Sequence, residues 1–218
     1  MNKIKHSKNE NKHEYVSYDS GKKLEFLKKT GQYREFININ RINKNYPLVY
    51  INSDKEKEAV VWCSNDYLGM SQHPLVISAM NKAINEHGAG SGGSRNIGGT
   101  HSYYLKLKKS IADWHGKELS LVFPTGYSSN DATLQCLLRV FDNCTVFSDE
   151  LNHASIINGI RSTPVKRKIF KHNDVSCLEA LLAVEPINCP KIIVFESIYS
   201  MDGDIAPIKD IIALAKKY

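Results

Sequence analysis

Short runs of β-forming residues alternate with segments of helical periodicity from residue 59 to the end of the chain. Apolar and β-branched runs predict strands over residues 60–63, 119–123, 145–148, 168–171 and 191–196. Apolar positions spaced three and four apart predict helices over 75–87, 128–138, 175–184 and 207–218. Strands joined by such helices indicate an α/β fold, in which a mainly parallel sheet has helices on both faces.

Two of the predicted helices have an apolar stripe. The helix over 207–218 also begins at Pro207, a residue that is favoured in the first helical turn. The helix over 75–87 has its stripe on one face, at Val76, Ala79, Met80, Ala83 and Ile84. In the helix over 207–218 we expect the stripe to be buried, at Ile208, Ile211, Ile212 and Ala215.

Composition narrows the class of protein. The 218 residues are 42% apolar, which is enough to bury a sizeable core, and the apolar run 192–195 is far shorter than the ~20 residues that span a bilayer. Five dispersed cysteines without a C-x-x-C pair argue against a disulfide framework and against a structural zinc site. The sequence therefore predicts a soluble protein with no metal and no membrane partner, and a cytoplasmic location.

Most of the positive charge lies near the amino terminus. Residues 1–58 carry 13 basic and 8 acidic side chains, whereas residues 59–218 carry 16 and 15. We divide the chain into a basic amino-terminal segment and substrate-binding arm (1–58) and the first part of a larger α/β domain (59–218). No nucleic-acid-binding signature accompanies the basic residues, so the Lys- and Asn-rich leader is interpreted as a solvated tail with no nucleic-acid partner.

The glycine-rich run 88–93 contains the spacing G-x-G-x-x-G, which is typical of dinucleotide sites. That fingerprint requires a strand before it and a helix that starts inside it. Here the predicted helix over 75–87 precedes the run, so we reject a dinucleotide site. Glycines beside Arg95 and Asn96 favour a loop whose backbone approaches an anion or substrate closely, and a merely flexible loop is the alternative.

Three predicted strand ends carry groups suited to one ligand. Gly126 precedes a helix whose free N–H groups and dipole favour a phosphate. His153 follows the strand over 145–148, while Glu196 and Ser200 lie at the end of the strand over 191–196. Because ligands of parallel sheets bind beyond the carboxyl ends of the strands, these groups suit a planar phosphorylated cofactor. A structural role for His153 is the alternative.

Several segments resemble the α-oxoamine synthases, which are fold type I enzymes that depend on pyridoxal 5'-phosphate. They are WCSNDYLGM (62–70), GAGSGGSRN (88–96), TGYSSNDATL (125–134), NHAS (152–155) and FESIYSMDGDIAPI (195–208). QYR-x-F (32–36), VWC (61–63) and RNI-x-GT (95–100) further resemble the branch that condenses glycine with succinyl-CoA to 5-aminolevulinate, CoA and CO2. The resemblance extends from about residue 24 to the end.

The resemblance implies a role for each matching residue. His153 stacks on the cofactor ring, Ser200 hydrogen-bonds its phenolic oxygen, and the backbone of Gly126 and Tyr127 holds its phosphate. For the substrates, it implies that Arg34 clamps the succinyl carboxylate, that Ser94, Asn96 and Ser148 line the acyl pocket, that Arg167 contacts CoA, and that Asn65 and Glu196 lie near the reacting groups. The alternatives are a surface Arg34, a solvated strand edge at 166–168 and a structural Glu196.

Two departures qualify the resemblance. Ser94 stands where the aminolevulinate-forming branch usually has Thr, so selectivity for the succinyl group is in question. The lysine that forms the Schiff base is expected beyond Tyr218, and no catalytic residue is assigned within the chain. We therefore expect an inactive amino-terminal half of a homodimeric enzyme. The alternatives are 8-amino-7-oxononanoate synthase, glycine C-acetyltransferase, and a non-catalytic binding protein.

Overall fold

The computed structural model describes residues 10–52 and 54–218, which form two compact units that divide between Gly92 and Gly93. The division predicted at residues 58 and 59 stays a prediction. The first unit contains helix α1 (Glu10–Lys29), strands β1 (Ile39–Arg41), β2 (Leu48–Ile51) and β3 (Asp54–Val60), a 3-10 helix (Met70–Gln72) and helix α2 (Pro74–His87).

The second unit alternates helices and strands. Its elements are α3 (Ser102–His115), α4 (Gly126–Val140), β4 (Thr145–Asp149), α5 (Ala154–Arg161), β5 (Lys166–Phe170), α6 (Val175–Ala183), β6 (Lys191–Val194) and α7 (Ile208–Lys217).

The strands of the second unit form a parallel sheet in the order β5-β4-β6. Successive side chains of the fully buried central strand point to opposite faces. Val146 packs with apolar residues of α4 and α5, whereas Phe147 packs with those of α6 and α7. The predicted α/β fold, a parallel sheet with helices on both faces, is thus confirmed.

Two predicted strands are wrong. Of the segment 60–63, only Val60 lies in a strand, and β3 belongs to an antiparallel sheet with the order β1-β2-β3. The segment 119–123 forms no strand, because no strand of the described residues pairs with it; Leu119 is 82% exposed. The other three predicted strands are present as β4, β5 and β6, with ends that differ by at most two residues.

Predictions about burial also need correction. Helix α2 forms as predicted, but Val76, Met80 and Ile84 are exposed. In α7, Ile211 and Leu214 are the buried positions, and Ile212 is exposed. Residues 1–9 of the leader lie outside the described residues. From Glu10 onward the leader is helical, and residues 20–29 are almost all exposed, so the solvated tail stays a prediction.

Candidate cofactor site

The start of α4 presents two backbone N–H groups. Thr125 caps this helix: its side chain accepts a hydrogen bond from the N–H of Ser128 at 3.0 Å, and its carbonyl accepts one from Ser129 at 3.0 Å. Among the described residues, the N–H groups of Gly126 and Tyr127 have no recorded partner. A Cβ atom built on Gly126 would meet nothing within 4 Å. This helix start is therefore open to an anion.

The imidazole of His153 is held by the helix that it begins. His153 caps α5, and its Nδ1 atom accepts a hydrogen bond from the N–H of Ser155 at 3.2 Å. The Ser155 hydroxyl lies 2.7 Å from the same nitrogen and accepts a hydrogen bond from Asn130 at 3.1 Å. With Nδ1 as the acceptor, a neutral ring carries its proton on Nε2. The ring of Tyr127 lies edge-on, with the centroids 6.4 Å apart.

His153, Glu196 and Ser200 line one cavity of about 230 Å³ at the carboxyl edge of the sheet. Oε1 of Glu196 accepts a hydrogen bond from the backbone N–H of His153 at 2.6 Å. This bond joins the end of β6 to the start of α5. The structure thus brings together three side chains that the sequence singled out, and their roles stay predictions.

Asn152 lines the same cavity, and sequence reasoning missed it. Its amide group donates hydrogen bonds to the Ser148 hydroxyl at 2.9 Å and to the Val194 carbonyl at 2.8 Å. Asn152 is 3% exposed, and its Oδ1 atom has no partner among the described residues. The side chain therefore fixes Ser148 on β4 relative to β6 and leaves a buried acceptor beside the cavity.

Tyr199 forms another wall of the cavity. Its hydroxyl accepts a hydrogen bond from the Glu196 N–H at 3.3 Å. Burial is the main cause that raises the pKa of Tyr199 to about 12, and the carboxylates of Asp149 and Glu196 add to it. The phenol is thus neutral at physiological pH.

The basic residues of β5 divide between its two faces. Lys166 and Lys168 form ion pairs with the buried Glu185, at 2.7 and 2.6 Å. These hydrogen bonds lower the pKa of Glu185 to about 2. Arg167 is exposed and is the one cation of the three without a recorded partner among the described residues. Its register partner is Val146, two residues before Ser148, so it lies away from the carboxyl end of the sheet.

The loop that carries Ser94 and Asn96 folds back on itself. The Ser94 carbonyl accepts hydrogen bonds from the N–H groups of Ile97, Gly98 and Gly99, at 2.8–3.2 Å. A Cβ atom on Gly99 would lie 1.9 Å from the Gly93 carbonyl oxygen, so only glycine fits. No contact between this loop and the His153 cavity is recorded among the described residues.

Comparison with known proteins decides the family. Residues 57–218 match the model of the family described as aminotransferase class I and II. The chain belongs to the aminotransferase class I and II family.

Relatives within this family have consistent names. The chain is 53% identical over 186 residues to a mitochondrial 5-aminolevulinate synthase of Schizosaccharomyces pombe, and covers 33% of that protein. It is 50% identical over 194 residues to the 5-aminolevulinate synthase of Paracoccus denitrificans, of which it covers 47%. The chain thus spans about half or less of the length of these curated relatives.

Solved structures of serine palmitoyltransferase share its fold. A high-resolution structure of SPT with PLP has a TM-score of 0.77 and 32% identity, over 84% of this chain and 44% of that chain. A serine palmitoyltransferase variant from S. paucimobilis has a TM-score of 0.81 and 31% identity, over 93% and 50%. The expected fold type I architecture is therefore confirmed.

The remaining predicted residues lie in the first unit of this family member. Arg34 is exposed between α1 and β1. Asn65 lines a separate cavity of about 500 Å³ with Arg41 and Asp66. Hydrogen bonds from Ser71, aided by Arg41, lower the pKa of Asp66. Asp66 therefore anchors the turn that carries Asn65.

Two kinds of feature are absent from the part of the chain that the structure describes. No helix there is both long enough and apolar enough to cross a membrane. No group of three or more His, Cys, Asp or Glu side chains there is arranged to hold a metal ion.

Proposed function

We propose that the chain is part of a pyridoxal-phosphate-dependent 5-aminolevulinate synthase, which condenses glycine with succinyl-CoA to 5-aminolevulinate, CoA and CO2. The observation that carries the proposal is the cavity shared by His153, Glu196 and Ser200, in a chain 47–53% identical to proteins with that name. The chain spans about half of those relatives, so the proposal concerns the full-length protein that carries it.

The described residues fit a phosphorylated pyridine cofactor. The open N–H groups of Gly126 and Tyr127 suit its phosphate, and the space beside Gly126 admits one. The planar imidazole of His153 is fixed through Ser155 and suits stacking on an aromatic ring. The Ser200 hydroxyl, on the same cavity, suits a hydrogen bond to a phenolic oxygen.

When bound, pyridoxal phosphate supplies the electron sink for the carbanion of glycine. The residues of this chain bind and orient. The Gly126 and Tyr127 N–H groups would bind the phosphate, His153 would stack on the ring, and Ser200 would donate a hydrogen bond to its phenolic oxygen. Glu196 accepts the His153 N–H with one carboxylate oxygen. Its other oxygen has no recorded partner among the described residues and suits a contact with the reacting amino acid.

Substrate roles follow from charge and position. Arg34 is exposed, and its planar guanidinium suits the distal carboxylate of a succinyl group. Arg167, with no recorded acidic partner among the described residues, suits an anionic group of CoA better than the neighbouring lysines that pair with Glu185. Ser94, Asn96 and Ser148 complete the proposed acyl pocket, and Asn65 lies near the reacting groups.

The proposal extends to assembly and location. We expect a homodimer for the full-length protein, measured by light scattering. The five free cysteines fit a reducing compartment, and we propose the cytoplasm. One relative is named as mitochondrial, so cell fractionation with a mitochondrial marker distinguishes the two locations.

The decisive experiment assays 5-aminolevulinate formation by the full-length protein from glycine, succinyl-CoA and pyridoxal phosphate. H153A and S200A should each lower kcat/KM by at least tenfold, about the effect of losing one good positioning contact. H115Q, a change at an exposed residue of α3, should leave kcat/KM unchanged.

The same assay tests the alternatives. Acetyl-, pimeloyl- and palmitoyl-CoA, each with glycine, alanine and serine, cover the other synthases of this type. Preference for another pair would overturn the substrate assignment, and cofactor binding without turnover would favour a non-catalytic binder. The 218-residue chain alone should form no product, and turnover by it would refute the expectation that the Schiff-base lysine lies outside it.

A further inference from the structure

His172, just after β5, lies between two carboxylates. Its Nδ1 atom lies 2.9 Å from Oδ1 of Asp149, and its Nε2 atom lies 2.7 Å from Oδ2 of Asp204. A neutral imidazole has one N–H group and can donate only one of these bonds, whereas an imidazolium donates both. The geometry is therefore that of a charged ring bridging two anions.

Asn173 reinforces the same bridge. Its amide group donates to Oδ2 of Asp204 at 2.7 Å, and its backbone N–H donates to Oδ2 of Asp149 at 3.0 Å. Asn173 has a φ of 54°, the left-handed region that Asn tolerates better than most residues. The strained backbone turns the chain so that residues 172 and 173 reach both carboxylates.

The bridged carboxylates belong to the two segments that carry the cofactor-facing side chains. Asp149 ends β4, four residues before His153, and Asp204 lies four residues after Ser200. Tyr199, next to Ser200, packs its ring edge-on against His172, with centroids 4.4 Å apart at 87°. The turn 197–206 is otherwise closed by its own hydrogen bonds, such as Ala206 N–H to the Ser197 carbonyl at 3.1 Å.

We propose that His172 is a positioning residue, whose double hydrogen bond holds the turn carrying Ser200 against the end of β4 and thereby sets the spacing of Ser200 and His153. The inference deepens the proposed function and rests on it. His172 does not line the cavity shared by His153, Glu196 and Ser200. It acts through Asp149, Asp204 and Tyr199.

The bridge should respond to pH in one direction. The groups facing the ring are Asp149 from β4 and Asp204 and Tyr199 from the turn, while Glu150 accepts the His172 backbone N–H. The hydrogen bond to Asp149, then that to Asp204, raises the pKa of His172 above its usual value of 6.5. The bridge is complete below pH 6.5 and is lost as the pH rises through the raised pKa.

The first test measures the turn without cofactor. Hydrogen exchange of residues 197–206 is followed in the cofactor-free full-length protein and in H172Q, D204N and the control H115Q, all at the same pH. Exchange of the turn should be at least tenfold faster in H172Q and D204N than in H115Q below pH 6.5, and the difference should shrink as the pH rises. Equal exchange in all variants would overturn the inference, whatever the cofactor does.

The second test measures pyridoxal phosphate binding by absorbance titration over the same pH range. The dissociation constant should be about tenfold larger in H172Q than in H115Q, and only the variants with an intact bridge should lose affinity as the pH rises. Unchanged affinity and an unchanged pH profile in H172Q would overturn the inference. The parent protein could show the expected hydrogen exchange of residues 197–206 and yet bind no pyridoxal phosphate. That result would overturn the proposed function, and with it the cofactor part of this inference.

Discussion

Gly126 and Gly99 differ in what a side chain would meet. At Gly126 the space is empty, so G126A should fold with unchanged stability while the added methyl group occupies the proposed phosphate seat. We expect the dissociation constant for pyridoxal phosphate to rise at least tenfold, as for the loss of a charged hydrogen bond. An absorbance titration of the full-length protein measures this.

The matched control is G21A on α1, which also adds a methyl group in open space. Its affinity should equal that of the parent protein. Equal affinities in G126A and G21A would place the phosphate elsewhere.

Gly99 has no such freedom. A methyl group there would overlap the Gly93 carbonyl, so G99A should open the loop that carries Ser94 and Asn96. We expect the KM for the acyl-CoA to rise several-fold, with little change in the affinity for pyridoxal phosphate. Steady-state kinetics of G99A and of G98A, a substitution into open space, provide the measurement. A KM unchanged in G99A would contradict an acyl-binding role for the loop.

At the scale of elements, α4 and α5 approach closely at a glycine. A Cβ atom on Gly159 would lie 3.0 Å from both the Asp131 carbonyl oxygen and Cβ of Leu134. The backbone of α4 cannot move aside as a flexible side chain does, so the added methyl group in G159A should destabilise the second unit by about 1–3 kcal/mol. The higher helix propensity of Ala offsets part of this loss. Denaturant unfolding of G159A measures the loss, and G21A on α1, where nothing lies within 4 Å, serves as the control. Equal denaturation midpoints for G159A and G21A would show that α4 and α5 can move apart without loss of stability.

Glu185 links β5 to the segment after α6. Hydrogen bonds from Lys166 and Lys168 lower the pKa of Glu185 to about 2 from its usual 4.5. Its contribution to stability is therefore full above pH 4.5 and is lost as the pH falls towards 2. E185Q should remove about 1–3 kcal/mol at neutral pH and make the free energy of unfolding less sensitive to acid.

The measurement is denaturant unfolding at about pH 7 and about pH 3. At the lower pH, part of the stabilisation from the Glu185 carboxylate is already lost. E118Q, at an exposed glutamate, should behave as the parent protein. If E185Q and E118Q lose equal stability on acidification, the ion pairs contribute nothing to the fold.

Elements whose signals are local were predictable, and the others were not. α4 and α6 directly follow Thr125 and Asp174, which are common cap residues, and both helices were predicted. α3 follows the cap His101, whose ring accepts a hydrogen bond from the Tyr103 N–H, and it was not predicted. The segment 119–123 has β-forming residues, but a strand also needs a neighbour from distant sequence, which no local pattern reveals.

The same distinction holds for the site. His153 and Ser200 were predicted to converge because the carboxyl ends of parallel strands share one edge. The supporting contacts of Asn152 with Val194 and of His172 with Asp204 join residues 42 and 32 positions apart. Such pairs have no sequence period, so only the folded chain identifies them.

At the scale of the whole molecule, the two units differ in their cores. Val49 is the single buried apolar side chain among the described residues of the first unit, whereas both apolar clusters lie in the second. Burial of apolar surface is the main stabilising contribution, so the first unit of the 218-residue chain should open at a lower free energy than the second. Native-state hydrogen exchange in increasing denaturant measures this: amides of β2 and β3 should exchange before those of β4 and β6. V146A, in the cluster of the second unit, should lower the opening free energy of β4 by about 1–3 kcal/mol and leave that of β2 unchanged. A single cooperative opening of all four strands, shifted as a whole by V146A, would mean that the two units unfold as one.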